Sequence, residues 1–375
     1  MFVALAGYLI AYRINQSAVV GIIIAGIIVG PSLLNWITYT DFVSSLAHLG
    51  AIVLLFTIGL EFNISDIFKV KYFIIALFGV IVPAVCGYFL AIVCGFDFKE
   101  AIFIGTALTA TSIALTANVL REMGKLQTTV AKAIIGAAVI DDVLALLALS
   151  VTEGMVTGDL SATIILVTTA KAIGFIIAGI LAGKFIFSKL LVRLDRMEMC
   201  KKFPESIFIA TIMIAFLYAV AARLVGLSAI VGSFLAGASF ARVKLTHGHV
   251  FREGAEHLQI IFASIFFVSL GIIMDLRSVN TFVIWFVVVL IVVALVTKLI
   301  GCGLPAFLQK MSLKDSLTIG IGMSPRAEVA MIIALIGLDQ NLITQNTYTA
   351  LVIMSIVTAI IPPFILRRWF AKQIK

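Results

Sequence analysis

Charge is what this sequence has least of. Only 12% of its 375 residues are Asp, Glu, Lys or Arg, about half the share of a soluble domain. No run of ordinary polar composition is long enough to form one, so a water-facing globular fold is excluded. Cysteine is sparse too: Cys86, Cys94, Cys200 and Cys302 lie scattered in or near apolar segments without C-x-x-C or Cys/His spacing. That excludes a disulfide framework and a thiolate metal centre and leaves packing as their role. His247, His249 and His257 share the basic loop 242–257 and read as solvated rather than as metal ligands or a pH sensor, and His48 has no identifiable companion. Neither a resident metal nor a cofactor is expected.

What the sequence has in abundance is hydrocarbon, 62% hydrophobic residues with a mean hydropathy of +1.20. Apolar segments run over roughly 1–13, 17–34, 42–60, 72–95, 100–120, 129–152, 162–188, 204–225, 227–242, 257–275, 279–308, 313–337 and 343–366. At 1.5 Å per residue, about 17 residues or more can cross a hydrocarbon core roughly 30 Å thick. The fold class expected is an all-α membrane protein of about thirteen transmembrane helices. The first segment could pass for a signal peptide, but it lacks a basic leader and an A-x-A cleavage site, and its shortness points to a clipped start.

A net charge of +8 could point to nucleic acid, so the distribution of the Lys and Arg residues decides. Loops after odd-numbered segments, with the C-terminal tail, hold twenty-one of them, from Arg13 to Lys375, whereas the opposite loops hold Lys99, Arg223 and Arg277. Such a bias is the positive-inside signature of a multi-pass protein in a cell membrane. It predicts an outside N-terminus and a cytoplasmic C-terminus, with membrane lipid and not nucleic acid as the surrounding partner.

Segment 162–188 and the highly charged loop 189–202 divide six segments from six. An odd linker helix makes the second six enter the membrane from the other side, giving two inverted repeats. In the fifth segment of the first repeat the polar run Thr106, Thr109, Thr111, Ser112 and Thr116 falls where hydrocarbon is expected; the matching segment of the second carries Gly320, Gly322, Ser324, Pro325, Arg326 and Glu328. Interruptions at corresponding positions of two halves predict two broken helices crossing at a mid-membrane site.

Ionisable side chains deep in a bilayer cost about 2.5–3.5 kcal/mol each on insertion scales, so they are functional candidates. Asp141 and Asp142 lie near the middle of segment 129–152, Lys298 lies in segment 279–308, and Arg326 and Glu328 lie in the second interruption. Successive helical positions diverge by about 100°, so the two aspartates cannot share one partner. Two Asp and a Glu against a Lys and an Arg leave one negative charge over. A proton and a monovalent cation compete to neutralise it, and that competition is an exchanger; the bland alternative is a permanently protonated Asp tying helices together. Hard cations take oxygen ligands, which makes the hydroxyls of Thr111 and Ser112 candidates, with back-bonding to their own helix as the alternative. Arg326 and Glu328 read as structural charges of the broken helix rather than as ion ligands.

These residues resemble the monovalent cation:proton antiporters, most closely the NapA-type sodium/proton antiporters, over essentially the whole chain. The resemblance is carried by Val20-Gly21 through Gly30-Pro31, Phe56 to Glu61, Thr109 to Thr116, Gly136 to Asp142, Phe266 to Gly271, the surroundings of Lys298 and Gly322 to Val329. It implies that Asp142 binds the cation or proton and that Asp141 pairs with Lys298, a static counter-ion or a proton carrier. It also implies a homodimer in which an ion-binding core domain (72–152 and 279–375) moves like an elevator against a dimerisation domain (1–71 and 204–278), with 153–203 as linker. An Asp-Asp pair with Lys implies electrogenic exchange, Na+ first, with Li+ or K+ as other substrates, serving pH homeostasis. Arg326-Ala327-Glu328 departs mildly from the usual Arg-Gly-Glu, which stiffens the break. The chain ends without a C-terminal nucleotide-binding domain, which counts against a Kef-like potassium efflux transporter but not against K+/H+ exchange.

Two other classes compete. A cation channel needs a continuous polar or carbonyl ring rather than one titratable site. An intramembrane aspartyl protease needs carboxylates facing each other, whereas sequence neighbours on a helix point apart, so no enzyme activity is expected.

Overall fold

The computed structural model describes residues 1–13, 16–62, 64, 69–157, 162–203, 205–243, 245–246, 248–274 and 281–371, and among them every regular element is helical. In chain order these are α1 (Phe2–Arg13), α2 (Ala18–Val29), α3 (Asp41–Gly59), α4 (Val70–Val93), α5 (Phe98–Ala107), α6 (Ile113–Glu122), α7 (Thr129–Thr157) and α8 (Ala162–Ala182). A π-helical turn, Gly183–Phe187, leads to α9 (Ser188–Asp195), α10 (Glu198–Lys202), α11 (Glu205–Leu224), α12 (Ala229–Phe240), α13 (Gly248–Ile272), α14 (Thr281–Leu308), α15 (Leu313–Gly322), α16 (Glu328–Asp339) and α17 (Gln345–Ala371). Among the described residues, eight stretches are long and apolar enough to cross a membrane, within α3, α4, α7, α8 with α9, α11, α13, α14 and α17; α1, α2, α12 and Val329–Leu338 of α16 are shorter apolar helices.

Short polar side chains start several of these helices by capping their first free N–H groups. Asp97 accepts from Glu100 N at 2.8 Å and Ser312 from Asp315 N at 3.1 Å. Between α6 and α7 the chain turns at Gly124, whose φ of 65° is a left-handed conformation that glycine adopts without a Cβ clash.

Contacts gather the chain into two compact units. One contains Thr40–Ile67 and Leu166–Phe266. In it α3 lies against α12 with almost no gap: a Cβ on Gly59 would meet the Phe234 carbonyl, and a Cβ on Gly237 that of Phe56. Small residues let backbones approach in this way where hydrocarbon surroundings give no hydrophobic drive to associate. Phe56 adds edge contacts to Phe240 and Phe251, with centroids 6.5 and 6.2 Å away. The other unit contains Phe2–Tyr39, Phe68–Ile165 and Phe267–Lys375. In it α4 packs against α5, α7 and α14, and α17 against α14, α15 and α16. This contact grouping places α1 and α2 alongside the helices that carry the charges.

Two stretches read as loops are helical. The basic stretch 189–202 is α9 and α10, because Leu190, Leu191 and Leu194 recur at helical spacing among the charges. The basic loop 242–257 shortens because α13 begins at Gly248, which puts His249 and His257 on a helix, while His247 lies outside the described residues.

Candidate functional site

The two interrupted segments are broken where their compositions weaken the helix. Between α5 and α6 the residues Leu108–Ser112 leave the helical path, and between α15 and α16 so do Met323–Ala327. Pro325 has no N–H to give, and the glycines before it lower the cost of leaving the helix. Each half-helix is only 10 to 12 residues long, about 15–18 Å. Both breaks release carbonyls and N–H groups that need partners.

The two breaks satisfy one another. Ser112 N donates to Pro325 O at 2.7 Å. The Thr116 hydroxyl donates to Gly322 O at 2.6 Å and the Thr111 hydroxyl to Met323 O at 3.2 Å, so the C-terminal end of α15 is capped by hydroxyls from α6 and the residues before it. The C-terminal end of α5 receives a full positive charge instead. Arg326, completely buried, donates from Nε (3.2 Å) and Nη2 (2.7 Å) to Leu108 O and from Nη1 to Ser324 O at 3.0 Å. A cation at the negative end of a helix is favoured by its dipole, and bonds from charged donors are worth about 1.5–3 kcal/mol. Arg326 is therefore a structural charge whose visible partners are carbonyls; the side chain of Glu328 lies outside the described residues, although its backbone begins α16.

Beside the crossing stands an ion pair. Lys298 Nζ on α14 lies 2.9 Å from Asp141 Oδ1 on α7, with both side chains fully buried. Gly79 on α4 makes room for Cys302 beside the pair: an added Cβ would fall 2.5 Å from Cys302 Sγ, while it would sit at an ordinary contact distance, 3.8 Å, from both Asp141 Oδ1 and Lys298 Nζ. Asp142, one position on, is only half-buried. The neighbouring carboxylates thus occupy unlike surroundings, one fully enclosed, one half-buried.

Two oxygens at this level have no protein hydrogen-bond partner although both are buried, Asp141 Oδ2 and Ser112 Oγ. A buried acceptor without a partner costs about 1–3 kcal/mol. Hard oxygens left open in this way suit a proton or an alkali cation, whose ligands are carboxylate, hydroxyl and carbonyl groups.

A family model described as sodium/hydrogen exchanger, transmembrane, matches residues 1–372. The chain belongs to the sodium/hydrogen exchanger family. This family member is 34% identical over 374 residues to the Na(+)/H(+)-K(+) antiporter GerN of Bacillus cereus, covering 99% of the chain and 94% of that relative. It is 31% identical to an Na(+)/H(+) antiporter of Enterococcus hirae, covering 97% of the chain and 94% of that relative. Its fold is similar to that of the sodium proton antiporter MjNhaP1 from Methanocaldococcus jannaschii at pH 8, with a TM-score of 0.69, 17% identity and coverage of 99% of this chain and 95% of that one.

In this exchanger-family chain the structure brings Asp141 to Lys298 and sets Thr111 and Arg326 into the crossing within reach of the same carboxylate. Thr111 spends its proton on the opposite break, whereas the Ser112 hydroxyl makes no protein bond. The sequence reading missed Thr116 as a cross-link, Gly79 as the close neighbour of Cys302 and the Leu108 carbonyl as the partner of Arg326. Only Thr116 left a signal, as the last hydroxyl of the polar run. Lys171, ionisable inside an apolar segment, sits on the exposed side of α8, where its long stem can carry the charge toward the interface.

Proposed function

We propose that this chain is a secondary active transporter that exchanges a monovalent cation, most readily Na+, for protons across the cell membrane, with Asp142 as the group both ions compete for. One observation carries the reading: a fully buried Lys298–Asp141 pair lies beside a half-buried carboxylate and two mutually capped broken helices. The enclosed aspartate is held by the lysine, and its half-buried neighbour can exchange a proton for a cation. The relatives' names, sodium/proton antiporters, support the same direction.

The finer architecture belongs to this proposal. Eleven unbroken apolar helices and two broken ones would make thirteen spans, arranged as two inverted six-helix repeats around the α8 linker. The core domain (72–152 and 279–375) would move against a dimerisation domain (1–71 and 204–278) in a homodimer, with an outside N-terminus and a cytoplasmic C-terminus. With Lys298 giving up a proton as the cation arrives, two protons would cross per cation and exchange would be electrogenic.

K+/H+ exchange is the second reading, favoured by the name of the Bacillus cereus relative, which includes K(+). Purified protein in liposomes under a pH gradient, supplied with Na+, Li+ and K+ in turn, separates the two. Gradient collapse by Na+ well below the K+ concentration needed supports the first; collapse by K+ alone replaces it with the second.

A further inference from the structure

At the far end of α6 from the crossing, a second long-range joint has no part in the site described above. Ser17 is the N-cap residue of α2, yet its side chain caps nothing in its own helix. Its hydroxyl donates instead to Glu122 Oε2 at 2.7 Å, and the same oxygen accepts from Ala18 N at 3.2 Å, although Glu122 lies more than a hundred residues away. Asn118, one turn back on α6, donates to Oε1 at 3.0 Å and aims the carboxylate.

The placement makes no sense for α6 alone. Glu122 is the last residue of that helix, where the dipole disfavours an anion, whereas the first turn of α2 favours one. The carboxylate therefore serves α2, replacing the local cap that Ser17 would ordinarily supply. The joint also borders open space. Ser17 is buried, but Glu122 is exposed on its other side and lines a cavity of about 310 Å³ with Tyr8, Tyr12, Gln16, Ala18 and Arg367. Gln16 Oε1 in that wall is buried without a hydrogen-bond partner, and the Arg367 charge acts on the same carboxylate.

We infer that Glu122 is a positioning residue for transport: its carboxylate latches the second half of the first broken helix to the first turn of α2, and this latch opens and closes once per exchange cycle. The inference rests on the proposed domain division, in which α2 stays with the dimerisation domain while α6 travels with the core. If α1 and α2 instead ride with the core, as their contacts group them, the same bonds are a permanent joint.

A cross-link decides between the two. In a background with the four native cysteines replaced, Ser17→Cys and Glu122→Cys are joined by oxidation in purified, reconstituted protein, and Na+-driven proton flux is compared before and after reduction. A latch predicts that oxidation slows exchange by about tenfold or more and that reduction restores it. Full cross-linking with undiminished exchange would overturn the inference. A second variant, Ser17→Cys alone, leaves Glu122 intact: a water-soluble maleimide should alkylate it several-fold faster when Na+ drives turnover, and an Asp142→Asn partner variant should lose that acceleration. Alkylation independent of turnover also overturns the latch. Exchange by Asp142→Asn equal to that of the parent would refute the assigned site instead, and the cross-link would still report on the joint.

Discussion

Asp141 and Asp142 have the same chemistry and adjacent positions, so the roles proposed for them differ only through their surroundings. A carboxylate enclosed by protein holds its charge only against a counter-charge, and Lys298 at 2.9 Å supplies it. Removing that lysine leaves Asp141 to be neutralised by a proton that stays with it through the whole cycle. Lys298→Gln is therefore expected to fold and still exchange, but one proton for one cation. In proteoliposomes the parent protein's rate should respond to an imposed membrane potential and that of Lys298→Gln should not. Equal responses from both would show that the lysine is a static counter-ion, and parent exchange blind to the potential would end the two-proton scheme.

At the level of elements the crossing is asymmetric. The C-terminal end of α5 is held by a guanidinium, that of α15 by two threonine hydroxyls. Thr116→Val keeps the shape and deletes the donor to Gly322 O, which leaves a buried carbonyl unsatisfied at a cost of about 1–3 kcal/mol. A lower thermal unfolding midpoint in detergent is expected for Val, with Thr116→Ser close to the parent. Identical midpoints for Val and the parent would mean that the bond does not hold the crossing. The breaks themselves were legible in the sequence, because Pro325, the glycines before it and the threonine and serine run from Thr106 mark places where a helix is weak or its backbone has competing partners. What could not be read was their closure: Arg326 meets a carbonyl 218 positions away, and a backbone acceptor leaves no trace in composition. The helices α9 and α10 were hidden for a different reason, since dense charge masks the leucine spacing that makes them helical. The joint between Ser17 and Glu122 was likewise invisible, because each residue alone is an ordinary cap or a surface acid.

For the whole molecule, the charge asymmetry and the paired breaks support the proposed arrangement, a transporter with its basic face in the cytoplasm. Cysteines placed in α9, α10 or the 242–246 stretch of a cysteine-free protein should react with membrane-impermeant reagent only from the inside of oriented vesicles. Reaction from outside would mean that the number of spans is wrong by one. The most direct test of the account, however, is Na+ uptake into proteoliposomes against an outward proton gradient, measured for the parent and for Asp142→Asn at matched protein density. An amide cannot carry the charge that proton and cation take turns in neutralising, and Asn removes a half-buried charge rather than adding one. The account predicts gradient-driven uptake by the parent and none above protein-free liposomes for a folded Asp142→Asn; substantial gradient-driven uptake by that variant would contradict it.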